Sequence, residues 1–206
     1  MRLLSLDMST KKTGYAIFNN GKLEKYDLIE AKEQDILSRI MQMYLHIQEL
    51  IEKQKIDCLV CEDVPVSQHS NLEVGKNLCI LQGCLLVLSN LHNLELNRLK
   101  PTEWRAQISL NHTEYTCKKC GNIFEDVSAL ETIRCAECGN VSKKDFIKNA
   151  LNDRESLKHR AVNEANKKFN LDLKYIKKNS EQNDDDIAEA ILIGYSFLKG
   201  IGYYGR

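Results

Sequence analysis

Proline is nearly absent from this chain, with two in 206 residues, and there are only ten glycines. So few turn-formers argue against a sandwich or barrel built from many tight connections. Net charge is absent as well: 29 Lys and Arg stand against 29 Asp and Glu, so overall charge does not advertise a nucleic-acid surface. No apolar run reaches the roughly 18 residues of a spanning helix, and the expectation is that no helix crosses a membrane. Asp7 falls where a signal peptide needs its hydrophobic stretch, so a cytoplasmic location is expected. What is present, 43% hydrophobic and 28% charged residues, excludes disorder and collagen-like repetition. The length fits one domain with a modest insertion, or two very small ones.

The balanced charge is unevenly spread. Residues 143–178 hold eleven Lys or Arg against five acids, and Asp184, Asp185, Asp186 and Glu189 follow. That pattern suits a phosphate-binding face beside a metal site, and equally an ordinary solvated helix. The eight cysteines fall into two groups. Cys58, Cys61, Cys79 and Cys84 lie in apolar segments and read as small hydrophobes. The others form Cys117-Lys-Lys-Cys120 and Cys135-Ala-Glu-Cys138, separated by fourteen residues and each followed by Gly-Asn. Two such knuckles let four thiolates converge on one Zn²⁺, which makes Cys117, Cys120, Cys135 and Cys138 candidate zinc ligands; a disulfide pair is the alternative.

Apolar periodicity outlines the elements. Residues 2–7, 14–19 and 22–29 read as consecutive antiparallel strands, the last two joined at Asn20-Gly21, a strong hairpin signal. Ile36, Ile40, Met43, Ile47, Leu50 and Ile51 make a helical stripe over 35–53. A strand over 56–62, a long apolar helix over 72–92 and a strand over 94–99 follow. Pro101 opens a short helix, and helices over 153–169 and 184–198 complete an α/β order with a mixed sheet.

Acids end two of these strands. Asp7 closes Leu3-Leu4-Ser5-Leu6, and Glu62-Asp63 closes the later one. A carboxylate among apolar neighbours is costly unless a cation or donor satisfies it. In the last helix, 185 or 186 shares a face with Glu189. Taken singly, these are solvated strand ends and helix-capping acids. Gathered at one sheet edge, they would repel one another unless they held hard divalent cations, Mg²⁺ or Mn²⁺. Two such ions can activate water against a phosphodiester.

Taken in order, Leu4-Ser5-Leu6-Asp7-Met8-Ser9-Thr10 with Gly14-Tyr15-Ala16, Val60-Cys61-Glu62-Asp63-Val64-Pro65, Pro101-Thr102-Glu103-Trp104-Arg105 and Asp185-Asp186-Ile187-Ala188-Glu189-Ala190-Ile191 carry a resemblance. The chain resembles the RuvC-type Holliday-junction resolvases of the RNase H-like superfamily, in particular their phage-borne relatives, over residues 1–110 and 150–198. The resemblance implies an RNase H-like mixed five-stranded sheet flanked by helices, with two Mg²⁺ or Mn²⁺ per active site. It also implies a homodimer that resolves four-way DNA junctions by paired nicks, in the cytoplasm of a bacterial host for a phage-borne enzyme. By position, Asp7 would bridge both metals and Glu62 would be the strand-end glutamate. Asp186 with Glu189 fits the last-helix acids, with Asp185 the rival for the first; Glu189 stands where aspartate is more usual. Lys158 would approach the scissile phosphate.

The cysteine segment departs from that family. It reads as a zinc ribbon over 111–145, inserted into a nuclease domain of 1–110 and 146–206. One structural Zn²⁺ would hold it, because so short a segment can hardly pack a core alone. Lys118, Lys119 and Arg134 flank its ligands and are candidate DNA contacts, as are Ser67, Gln68 and Asn71 after Glu62. In the long apolar helix Val74, Leu78, Leu81, Leu85 and Leu88 read as core, and Cys79, Leu86 and Val87 as a second side suited to a partner subunit. The rival functions are an RNase H-like nuclease for other branched DNA or RNA–DNA hybrids, and a non-catalytic zinc-ribbon adaptor binding DNA. An actin-like or sugar-kinase ATPase shares the Asp7-to-Gly14 pattern but needs two large lobes, and this chain is too short.

Overall fold

The computed structural model describes residues 1–64, 72–110, 113–126, 133–149, 154–178 and 180–204. β1 (Arg2–Asp7), β2 (Lys12–Asn19) and β3 (Lys22–Glu30) form an antiparallel meander. Asn20 and Gly21 turn between β2 and β3 at φ of 48° and 79°, the left-handed pair a tight hairpin requires. α1 (Ile36–Gln54) opens on Asp35, whose carboxylate accepts from the Ser38 N–H, and carries the chain over so that β4 (Cys58–Glu62) lies parallel to β1. α2 (Leu72–Leu91) makes a second crossover to β5 (Glu95–Leu99), giving the sheet order β3-β2-β1-β4-β5. Pro101 starts α3 (Pro101–Gln107), and α4 (Arg154–Phe169) and α5 (Asp185–Gly200) follow the cysteine segment. The expected mixed five-stranded sheet flanked by helices is what forms.

Strand alternation sorts the apolar residues between two cores. Leu4, Leu6, Ile17, Leu59 and Cys61 pack with Ile40, Met43 and Ile47 of α1 and with Leu81, Leu85 and Leu88 of α2. Leu3, Ala16, Phe18, Cys58 and Val60 face the other way, onto Trp104 of α3, Ala161 of α4 and Ile191 of α5. Small residues let α5 lie close on the sheet: Ser5 Oγ donates to the Ala190 carbonyl at 2.7 Å, and a Cβ on Gly194 would meet Phe18 at 2.4 Å.

α2 corrects two expectations. Leu81, Leu85 and Leu88 are buried, but Val74 is exposed and Leu78 half-buried, because both line the open cleft described below. Glu73, Lys76 and Gln82 also dilute the helix too little. By length and composition alone Leu72–Leu91 is long and apolar enough to cross a membrane, and 22% of its most apolar 18-residue window is buried within the protein.

The cysteine segment builds a second sheet, β7-β6-β8, from β6 (Thr113–Cys117), β7 (Ile123–Asp126) and β8 (Phe146–Asn149). β8 lies beyond the ribbon boundary expected at 145. It belongs to the ribbon because it pairs with β6, Phe146 opposite Cys117, and the Phe146 ring packs edge-on to Tyr115 and Phe124 over buried Cys117 and Cys135.

Opposite Asp7 in the β1–β2 ladder stands Gly14. A Cβ there would lie 1.9 Å from the Asp186 carbonyl oxygen, so only glycine admits the first turn of α5 to this edge. Gly14→Ala is expected to cost about 1–3 kcal/mol through overpacking. The loss should appear as a lower urea midpoint at unchanged m-value.

Candidate active site

β1 and β4 run parallel with Leu6 opposite Cys61, so Asp7 and Glu62 end neighbouring strands at the same edge. Alternation also puts both on the α5 side, Asp7 following Leu3 and Ser5, and Glu62 following Cys58 and Val60. Carboxyl ends of parallel strands are where an open α/β sheet presents its ligand sites. α5 reaches that edge with its first turn, which carries Asp185 and Asp186.

Asp7, Asp186 and Glu189 each offer a carboxylate oxygen within 4.8 Å of the others. Glu62 stands beside this triad: its Oε2 accepts from Trp104 Nε1 at 2.6 Å and lies 3.4 Å from Arg105. The same guanidinium reaches Glu189 Oε1 at 3.3 Å. Asp185 is buried and paired with Lys158, whose ammonium also lies 3.4 Å from Asp186 Oδ1. Of the two rivals at the start of α5, Asp186 is the one grouped with Asp7 and Glu189.

Burial drives Asp7 well above the usual carboxylate range; repulsion from Glu189, Asp186 and Glu62 adds to it, and Lys158 partly offsets it. Burial likewise raises Glu62 against the pull of Arg105, and Asp186 against that of Lys158. It raises Glu189 to about 7, again opposed by Arg105. For Lys158, burial opposes the charge, but the Asp185 hydrogen bond and the Asp186 carboxylate hold it above its ordinary value. These groups line a cleft of about 1260 Å³ that also takes in Ser9, Val74, Lys100 and Arg154. Three close carboxylates whose burial and mutual repulsion raise their proton affinity form a hard-oxygen set that suits Mg²⁺ or Mn²⁺.

The ribbon holds a second ligand set. The Cys117 and Cys138 sulfurs lie 3.6 Å apart, as do those of Cys120 and Cys135, and all four fall within 4.8 Å. Tetrahedral Zn–S bonds of about 2.3 Å put sulfurs about 3.8 Å apart, so the set fits zinc. The two knuckles repeat one another. Gly121 N–H donates to the Cys117 carbonyl at 2.8 Å and Gly139 N–H to the Cys135 carbonyl at 2.9 Å, both glycines having positive φ (75° and 70°). The Cys138 N–H holds the Cys135 thiol down to about 6. Lys118, Lys119 and Arg134 are exposed on the ribbon and do not line the acidic cleft. Ser67, Gln68 and Asn71 lie outside the described residues.

Sequence reasoning assigns no role to Trp104 or Arg105. The available signal is the chain's one tryptophan next to an arginine, in the short helix directly after a strand.

A mixed sheet in this order, with acids at the ends of two neighbouring parallel strands and on the final helix, defines an RNase H-like fold of the RuvC type. The chain is similar to RuvC of Thermus thermophilus in complex with Holliday junction substrate, at 10% identity and a TM-score of 0.60, over 98% of this chain and 97% of that one. A further Thermus thermophilus RuvC structure matches at 11% identity and a TM-score of 0.58, over 98% of both chains. The yeast mitochondrial Holliday junction resolvase Ydc2 matches at 13% identity and a TM-score of 0.56, over 96% of this chain and 78% of that one. At such identities the likeness establishes the fold. No protein-family model matches the sequence, and no curated protein matches it.

The raised carboxylates make stability depend on pH. Glu189, raised by burial from 4.5 to about 7, holds its proton in the folded site over a range where the unfolded chain has lost it. Asp7, Glu62 and Asp186 are raised in the same direction, so stability falls as pH rises through that range. In chelator, Tm is expected to be lower at about pH 8 than at about pH 5.5. Millimolar Mg²⁺ should raise the higher-pH value more, because a bound cation replaces the missing protons. Scanning calorimetry at both pH values, with and without the metal, checks this.

Proposed function

We propose that this chain is a divalent-metal-dependent, structure-selective endonuclease that acts in the cytoplasm as a homodimer and resolves four-way DNA junctions by paired nicks. The grouping of Asp7, Asp186 and Glu189 at the carboxyl edge of a RuvC-type sheet carries the reading. The substrate class is supported by the neighbours, one solved with Holliday junction substrate and another a Holliday junction resolvase.

Asp7, Glu62, Asp186 and Glu189 would hold two Mg²⁺ or Mn²⁺, with Asp185 acting through Lys158. When bound, such ions supply an activated water and neutralise charge on a phosphodiester. The chain's own groups do the rest. Arg105 ties Glu62 to Glu189, and Lys158 neutralises the two aspartates opening α5. Lys100 and Arg154, also lining the cleft, attract the phosphate backbone.

The homodimer rests on α2. Cys79, Ile80, Leu86 and Val87 are exposed on it, Leu86 at 54% and Val87 at 51%, and α1 adds exposed Leu37, Met41 and Leu45. A second copy would cover such a patch, and two-fold symmetry would bring two sites to opposite strands of a junction. In the ribbon the four cysteines would hold one structural Zn²⁺, with Lys118, Lys119 and Arg134 placed to meet DNA.

On a synthetic four-way junction with Mg²⁺ or Mn²⁺, symmetric paired nicks are expected that a linear duplex does not show. Asp7→Asn should slow them by about 10²–10³-fold while junction binding persists. Cutting only forks or hybrids would discard the junction, and binding without cleavage would favour the adaptor. Elemental analysis should find stoichiometric zinc in the purified protein, lost in Cys135→Ser.

A further inference from the structure

We propose that Trp104 is a positioning residue of the acid site: its indole N–H fixes one carboxylate oxygen of Glu62 and so presets that side chain for metal binding. The inference rests on reading Glu62 as a metal ligand. A buried tryptophan seeks an acceptor for its N–H. Here it is a carboxylate. Trp104 is fully buried in the core beneath α5, and its Nε1 lies 2.6 Å from Glu62 Oε2. The residue is held in turn. The Arg105 guanidinium packs 4.9 Å from it, and the Trp104 backbone carbonyl accepts from Ser196 Oγ of α5 at 3.4 Å.

Glutamate has three side-chain torsions to lose on binding a cation. A hydrogen bond to its charged form removes that freedom beforehand and leaves Oε1 as the ligand oxygen. Arg105 also reaches Oε2 but shares its charge with Glu189, so the indole is the contact belonging to Glu62 alone. The same bond links the indole to any charge that Glu62 acquires. Because the chain has a single tryptophan, its emission reports on the site without labelling.

The test is calorimetric titration of Mn²⁺ into the wild type and Trp104→Phe, which keeps an aromatic ring and removes the donor, with folding checked by circular dichroism. The variant is expected to bind Mn²⁺ about 10–100-fold more weakly. Mg²⁺, which does not quench by paramagnetism, should change wild-type tryptophan emission saturably, and Asp7→Asn should abolish the change. Affinities for Mn²⁺ within about twofold of each other would overturn the proposal and leave the metal site standing. So would wild-type emission that stays constant while calorimetry registers Mg²⁺ binding, a result that does not depend on the variant folding. No binding of either ion by the wild type would overturn the metal-site reading itself, and this proposal with it.

Discussion

A buried carboxylate needs a compensating charge, and Asp7, Glu62, Asp186 and Glu189 are gathered at one edge of this sheet. Much of the surrounding architecture meets that requirement. Arg105, from α3, spans the two glutamates, and Lys158, from α4, spans the two aspartates that open α5. Neither cation reaches all the acids, and burial together with the neighbouring carboxylates raises Asp7 well above the ordinary range. The excess of negative charge is the feature that makes the cleft a candidate for a divalent ion.

Holding like charges together demands a stiff frame. α5 supplies it by lying in the core along most of its length, with Gly194 pressed against Phe18 and Ser5. Gly14 does the corresponding work at the other end, where the first turn of α5 meets the β1–β2 ladder. The absent side chains at these two positions set where the acids stand.

How much of this is legible in the sequence depends on the range of the interaction. Short apolar runs are local signals, so β1 and β4 are readable as buried strands that end in Asp7 and Glu62. The cysteine knuckles are readable because their spacing is already a geometry. Trp104 and Arg105 are not, since their partners lie 42, 43 and 84 residues away and nothing near them in sequence names those partners. β8 escapes for another reason: four residues carry too little periodicity, and pairing with β6 decides their fate. In α2, spacing identifies an apolar stripe but not where the protein beneath it ends, so Val74 and Leu78 look like core and line a cleft instead.

The ribbon enters through β6 and leaves through β8, and these strands are hydrogen-bonded neighbours, with Glu114 opposite Asn149. Paired antiparallel Cα atoms lie about 4.5–5.5 Å apart, so to the main domain the insertion has the ends of a short loop. Closure entropy grows with the logarithm of the free chain length. Pairing of β6 with β8 thus spares α3 and α4, which carry the guanidinium and the ammonium that neutralise the acids, most of the closure cost of so long an insertion.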